Sequence, residues 1–151
     1  FLTPKLAIEF QEALGSDIMM VLDECLGYPA TEKEAEDSLG LSLKWARACK
    51  EARSKDAALF GIVQGGMYPA LRRRAAEGLM DVGFDGYAIG GLSVGEPKEL
   101  MWEMTANDTA RLPEDRPRYL MGVGKPEGLV EGVALFAVIV GLLAINKVNQ
   151  G

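Results

Sequence analysis

Four short segments of the 151-residue chain carry groups that could recognise a planar polar ligand. Asp23 supplies a carboxylate with two acceptor oxygens, and Gln64 supplies one acceptor and two donors. Gly90 and Gly91 have no Cβ, so their backbone can approach a ligand with its N–H groups free. Met121 offers a polarizable apolar side chain for one face of a ring. This set matches a heterocycle with adjacent N–H donors and a carbonyl, a pattern that guanine has.

In this interpretation each polar edge of guanine has a partner. N1–H and the 2-amino group would donate to Asp23, and O6 would accept from Gln64 and from the Gly91 N–H. Each residue alone has a simpler explanation, because an Asp after a strand is usually a helix cap or a turn former. Glycine pairs are also common in loops, and the chain has neither a GxGxxG nor a P-loop pattern. The residues by themselves therefore predict only a polar site at strand ends.

The elements that would position these groups follow a strand-helix alternation. Apolar runs typical of buried parallel strands lie at residues 18–22, 58–63, 86–89 and 119–123. Helices are predicted from Pro4 to just before Gly15, from the cap residue Thr31, over residues 69–82 and 97–109, and from about Pro126. In the first helix the spacing predicts an apolar face made of Leu6, Ala7, Phe10 and Leu14.

About four such βα units imply a parallel sheet, either half of a closed (β/α)8 barrel or a small open sheet. Each predicted strand ends in a polar or glycine-rich loop. In a barrel the active site lies where the carboxyl ends of the strands converge, whereas an open sheet binds ligands mainly at one switch point. The loops therefore favour an α/β fold that is a partial (β/α)8 TIM-type barrel.

Composition narrows the class of site. The chain has no histidine and two separated cysteines, Cys25 and Cys49, which argues against a metal site or a disulfide and fits a reducing cytoplasm. The net charge of −6 argues against a stand-alone nucleic-acid binder, because phosphate contacts depend on Lys and Arg. The one basic run consists of Arg72, Arg73 and Arg74 in a predicted helix, and we interpret it as a solvated helix face rather than an RNA contact.

Long blocks of the chain resemble the bacterial tRNA-guanine transglycosylase family. They read DEC at 23–25, YPAT at 28–31, FGIVQGG at 60–66, GFDGYAIGGLSVGE at 83–96 and YLMGVGKP at 119–126. The resemblance covers about residues 1–133 and implies a barrel enzyme. Such an enzyme exchanges the guanine at the anticodon wobble position of certain tRNAs for a 7-deazaguanine, in queuosine biosynthesis. An aspartate attacks the ribose anomeric carbon, and the incoming base displaces the resulting covalent intermediate.

The resemblance also assigns roles to residues of this chain. Asp23, Gln64 and the Gly91 N–H would recognise the base, with Cys25 in the same substrate-binding set. A second set would bind the remaining parts of the substrate: the Leu92 carbonyl would meet the aminomethyl group of the 7-deazaguanine, Met121 would pack against the ring, and Glu96 would tune the orientation of the Leu92 peptide. These roles agree with the chemistry of the same loops.

The resemblance ends before the catalytic aspartate. Residues 134–151 form a divergent apolar tail, and its run at 134–144 is too short to span a membrane. The nucleophile position falls at about Gly141, which cannot form a glycosyl bond. The family's acid/base aspartate corresponds to a position before Phe1, and its zinc site, made of three cysteines and a histidine, corresponds to positions after the tail. We therefore expect no catalytic residue, metal or cofactor within this chain.

Three hypotheses follow. The favoured one is a transglycosylase fragment in the cytoplasm that keeps affinity for guanine or a 7-deazaguanine, with tRNA as the partner of the full-length family and no membrane contact. The second is a structural or interaction protein, a half barrel whose open edges pair with a second copy or a partner. The third is an unrelated barrel enzyme that uses Asp23 with Glu24 or Glu96 as acid and base.

Overall fold

A computed structural model describes residues 1–123, in which four helices alternate with four strands. In chain order the elements are α1 Pro4–Ala13, β1 Ile18–Met20, α2 Glu32–Ala52, β2 Ala58–Val63, α3 Pro69–Val82, β3 Gly86–Ile89, α4 Lys98–Thr109 and β4 Arg118–Leu120. The strands form one parallel sheet in the order β1-β2-β3-β4.

The strand order determines the architecture. Each strand lies beside the one before it, so right-handed crossovers place all the connecting helices on the same face of the sheet. Consecutive helices pack against one another, α1 on α2, α2 on α3 and α3 on α4. A doubly wound sheet would reverse its strand order, and this one does not. The architecture is that of a partial (β/α)8 barrel, as predicted.

Most element bounds agree with the sequence patterns. β2, α3 and β3 have the predicted bounds, and α4 starts one residue later because Pro97 is its N-cap. β1 is shorter than the predicted 18–22, although the Val21 N–H still donates to the Phe60 carbonyl at 3.1 Å. β4 ends at Leu120 rather than at residue 123. The predicted helix near Pro126 and the apolar tail lie outside the described residues.

The buried face of α1 differs from the prediction. Ala7, Ile8 and Glu12 are buried, whereas Phe10 and Leu14 are 55% and 83% exposed. Glu12 is buried because the loop after α2 satisfies its carboxylate, which accepts from the N–H groups of residues 54 and 55 and from the hydroxyl of residue 54. Helical spacing alone does not separate these two faces, because both carry apolar side chains.

The outer edge of β1 is capped by a side chain. The Gln11 Nε2 donates to the Met20 carbonyl at 3.0 Å, and the Met20 N–H donates to Gln11 Oε1 at 2.8 Å. The amide of Gln11 thus takes the place of a neighbouring strand at this residue. No helix within residues 1–123 combines the length and apolar character needed to cross a bilayer.

Candidate functional site

The carboxyl ends of β1 and β2 bring two predicted site residues into direct contact. Gln64 Nε2 donates to Asp23 Oδ2 at 2.6 Å, although the residues are 41 positions apart. Gln64 is only 3% exposed, and Asp23 is half-buried. The amide must turn its NH2 group toward the carboxylate, because the carboxylate can only accept. Its second N–H and its Oε1 remain for other partners.

The third group lies at the end of β3. Gly91 has φ +66°, a left-handed conformation that favours glycine. A Cβ on Gly91 would overlap Gln64 Oε1, and a Cβ on Gly90 would lie 2.6 Å from Ile62 Cγ2. Both glycines are therefore needed for this backbone to lie against the Gln64 amide.

Polar side chains of α2 hold the loop that carries Asp23. The Glu24 N–H donates to Ser42 Oγ at 2.9 Å, and Ser38 Oγ donates to the Glu24 carbonyl at 3.2 Å. The Leu22 N–H donates to Cys49 Sγ at 3.3 Å. These hydrogen bonds fix the backbone on both sides of Asp23. Ser38 and Ser42 are buried, and the sequence patterns did not identify them.

Burial dominates the electrostatics of the site. It raises the pKa of Asp23, and the hydrogen bond from Gln64 opposes this only in part. Burial likewise raises the pKa of the Cys25 thiol, with a further rise from the Asp23 charge, while Gln64 and the Gly91 N–H lower it. The thiol therefore lies within reach of all three groups.

Glu96 organises the loop after β3. Its carboxylate accepts from the Ser93 N–H at 2.5 Å and from the Val94 N–H at 2.8 Å. Ser93 has a positive φ of 60°, and Leu92 is buried. Both oxygens of Glu96 are thus engaged by the backbone, which argues against its use as an acid beside Asp23.

Met121 follows β4 at the same end of the sheet. Its N–H donates to the Ile89 carbonyl at 3.0 Å, and its partly buried side chain packs against the hydrophobic core. A Cβ on Gly122 would lie 3.3 Å from the Leu92 carbonyl oxygen, so this segment adjoins the loop after β3.

A cavity of about 260 Å³ lies beside these groups rather than among them. Its lining includes Gly91 but neither Asp23 nor Gln64. The loops around it are tied together, because the Tyr28 N–H donates to the Val94 carbonyl at 3.3 Å and Tyr68 Oη donates to the Ala30 carbonyl at 2.8 Å. Gly91 therefore joins this cavity to the neighbouring Asp23–Gln64 pair.

The prediction that the basic run of α3 forms a solvated helix face is wrong for Arg72. Arg72 is completely buried, and its Nε and Nη2 donate to Asp108 Oδ2 at 2.9 and 2.6 Å. Arg73 and Arg74 are exposed, and Arg74 donates to Glu36 at 2.6 Å. Arg72 shares a helix face with the buried residues 75, 76 and 79, which is why it points inward.

The residues of this chain cannot form the zinc site of three cysteines and a histidine that the family resemblance implies. The whole chain contains two cysteines and no histidine. Within residues 1–123, no group of three or more histidine, cysteine, aspartate or glutamate side chains could hold a metal ion.

Comparison with known proteins decides the family. The family model for "Queuine tRNA-ribosyltransferase" matches residues 1–136. The chain belongs to the queuine tRNA-ribosyltransferase family. A protein of that name from Acinetobacter baylyi is 58% identical over 137 residues, covering 88% of this chain and 36% of the relative. One from Marinobacter nauticus is 60% identical over 133 residues, covering 87% and 36%.

The chain spans about a third of the length of the curated relatives that it matches. The structure brings Asp23, Gln64, Gly91 and Cys25 together. It places Leu92, Glu96 and Met121 on adjoining loops of the same sheet edge. Gly141 lies outside the described residues. The residues that sequence reasoning missed lie behind the site: Ser38, Ser42, Arg72 and Asp108.

Proposed function

We propose that this chain is the base-recognition part of an enzyme that exchanges guanine at the tRNA wobble position for a 7-deazaguanine. The observation that carries the proposal is the direct hydrogen bond between Gln64 and Asp23, with Gly91 against the same amide. Three successive strand ends thus present acceptors and donors within the span of one purine edge. The family of the chain and the names of its relatives support this substrate class.

The polar groups complement guanine in a defined way. Asp23 keeps lone pairs beyond the one used by Gln64, and these would accept from N1–H and the 2-amino group. The second N–H of Gln64 and the Gly91 N–H would both donate to O6. The base would therefore join the existing Asp23–Gln64 hydrogen bond without breaking it.

The loop after β3 would recognise the substituent of the incoming base. Because Glu96 holds the Ser93 N–H, the carbonyl of the same trans peptide, that of Leu92, points away from Glu96. That carbonyl would accept from the aminomethyl group of a 7-deazaguanine. Met121 would pack against one face of the ring system.

We propose that the chain binds the base without exchanging it. In the family resemblance the nucleophile position falls at about Gly141, and glycine has no side chain that could attack the ribose. Incubation with tRNA and radiolabelled guanine should give no incorporation. Incorporation above the level of a protein-free control would contradict this part of the proposal.

Calorimetric titration with guanine and with 7-aminomethyl-7-deazaguanine tests the binding. Asp23→Asn should abolish it, because the substitution replaces one of the two acceptor oxygens with an NH2 donor that faces a donor of the base. Asp17→Asn is the matched control, since this exposed carboxylate lies at the opposite end of β1. Absence of binding in the unmodified protein, or equal binding by the Asp23→Asn variant, would overturn the base-recognition proposal.

Self-association is a second candidate function. Three large apolar side chains are more than half exposed: Phe10 on α1, Leu14 at its C-cap and Ile18 on β1. Exposed apolar side chains in such numbers favour a protein contact. Sedimentation velocity over a range of concentrations tests this candidate. A monomer at the highest concentration would rule it out.

A further inference from the structure

The buried guanidinium of Arg72 contacts the backbone of two site loops. Its Nη2 donates to the Gly90 carbonyl at 2.9 Å, and its Nη1 donates to the Gly66 carbonyl at 3.1 Å. Gly66 follows β2, and Gly90 follows β3. One side chain of α3 thus connects the loop after Gln64 to the loop that carries Gly91.

The contact with Gly90 has a directional consequence. The Gly90 carbonyl and the Gly91 N–H belong to one trans peptide, so they point to opposite sides of its plane. Arg72 donates to the carbonyl on one side of this plane. On the other side the Gly91 N–H points away from Arg72, and Gly91 lies against the Gln64 amide that is hydrogen-bonded to Asp23. Holding the carbonyl therefore aims the N–H at the base site.

Asp108 keeps the guanidinium in this orientation. Both side chains are completely buried, and the carboxylate accepts from Nε and Nη2 of Arg72. Asn107 Nδ2 donates to the other carboxylate oxygen at 3.2 Å. A planar guanidinium fixed at one edge leaves its remaining N–H groups in fixed directions, which a lysine ammonium cannot reproduce.

We propose that Arg72, oriented by Asp108, is a positioning residue for base recognition: it sets the direction of the Gly91 N–H by holding the carbonyl of the same peptide. The base that this N–H meets is the one in the proposed function, so that part of the inference rests on it. The orientation of the peptide itself does not.

The test uses Arg72→Lys, with Arg74→Lys as the matched control on the exposed face of the same helix. In the base-free protein, the 15N–1H resonance of Gly91 should move in Arg72→Lys and stay in place in Arg74→Lys. Guanine affinity should fall about 3- to 10-fold in Arg72→Lys, the size of one neutral hydrogen bond. Affinity for 6-thioguanine should fall less, because sulfur at position 6 is a weak acceptor and gains little from the Gly91 N–H.

A second variant covers the case in which a buried lysine prevents folding. Arg72→Met combined with Asp108→Leu removes both buried charges, a replacement that proteins often tolerate. It leaves the Gly90 carbonyl unheld, so the Gly91 resonance should again move. If this resonance coincides with that of the unmodified protein in the folded variants, the positioning role is wrong.

Two further outcomes separate this inference from the proposed function. Equal losses for guanine and 6-thioguanine would show general damage to the site and overturn the positioning role. If the unmodified protein binds neither base, the proposed function fails, and the Gly91 resonance alone decides whether Arg72 orients the peptide.

Discussion

The amide of Gln64 and the carboxylate of Asp23 are joined by a 2.6 Å hydrogen bond across two neighbouring strand ends. The amide is almost fully buried, while burial raises the pKa of the carboxylate. This pairing of a fixed donor with a carboxylate that resists ionisation makes the site sensitive to pH.

Guanine affinity should rise with pH through the pKa of Asp23. The ionised carboxylate accepts from N1–H and the 2-amino group, whereas the protonated acid has lost one acceptor. Since burial raises this pKa above its usual value of 3.8, the loss of affinity should begin at a higher pH than for an ordinary aspartate. Calorimetry carried to acid pH, below 3.8, should show a fall in affinity that approaches about tenfold per pH unit once the pH is below this pKa. A flat profile would contradict the assignment.

The raised pKa of Asp23 should also make the free energy of unfolding of the base-free protein depend on pH. The folded-state pKa of Asp23 lies above the unfolded value, so in the window between them the folded state binds more protons. The contribution of Asp23 to stability is therefore present below this window and lost as pH rises through it. Urea unfolding should show that Asp23→Asn becomes relatively more stable as pH increases.

Asp85 provides a control, because its pKa is shifted in the opposite direction to that of Asp23. The hydrogen bond from the Leu59 N–H is the main cause that holds the pKa of Asp85 below its usual value; burial opposes it in part, and Arg53 adds to the lowering. Its contribution to stability is present at higher pH and is lost as pH falls through the lowered pKa. Asp85→Asn should thus become relatively less stable as pH increases, so parallel profiles for the two variants would be inconsistent with the structure.

Gly91→Ala should destroy base binding and destabilise the fold. Its positive φ costs a residue with a Cβ about 1–2 kcal/mol, and the Cβ would displace the Gln64 Oε1. Gly83 also has a positive φ, but a Cβ at this position would meet no neighbouring atom. Gly83→Ala should therefore lower the free energy of unfolding only through backbone strain and should bind the base normally. Urea unfolding and base titration of both variants would separate these effects, and normal binding by Gly91→Ala would exclude the predicted contact.

Arg72→Ala should destabilise the protein far more than Arg74→Ala. Removal of one partner from a buried pair leaves an uncompensated charge on Asp108, at a cost of about 3–5 kcal/mol. The exposed pair of Arg74 with Glu36 contributes ~0–1 kcal/mol. Thermal unfolding followed by circular dichroism measures the difference, and similar melting temperatures would show that Arg72 is not buried in solution.

Gln11→Ala should weaken the outer edge of β1. It leaves the N–H and carbonyl of Met20 without their partner, which costs about 1–3 kcal/mol and exposes a strand edge to other chains. Glu9→Ala, on the exposed side of the same helix, is the control. Sedimentation velocity should show more self-association for Gln11→Ala alone, and equal behaviour of the two variants would mean that the edge is not capped.

The regular elements could be predicted because local chemistry determines them. The bounds of α3 follow from Pro69 at its start and Gly83 at its end, and β2 is an apolar run that ends at the polar Gln64. The contact of Gln64 with Asp23 could be anticipated only through the parallel sheet, which brings successive strand ends together.

The buried polar residues are harder to predict because their partners are distant in sequence. Arg72 has the spacing of the apolar face of α3, and this was the available signal, but Asp108 lies 36 positions away. Ser38 and Ser42 are one helical turn apart on α2, yet their role depends on a loop placed by β1. Helical spacing can show that a polar residue faces the core, but it cannot show which distant residue is its hydrogen-bond partner.

Two peptide groups near the proposed base site are each hydrogen-bonded to a charged side chain: Gly90–Gly91 to Arg72 and Leu92–Ser93 to Glu96. Main-chain amides have the same chemistry whatever amino acid carries them. Substituting the side chain at position 92 would therefore leave the acceptor offered to a ligand unaltered. Selection for a different ligand polarity would have to act on the charged residues that orient the backbone, Arg72 and Glu96, rather than on the residues whose peptides they hold.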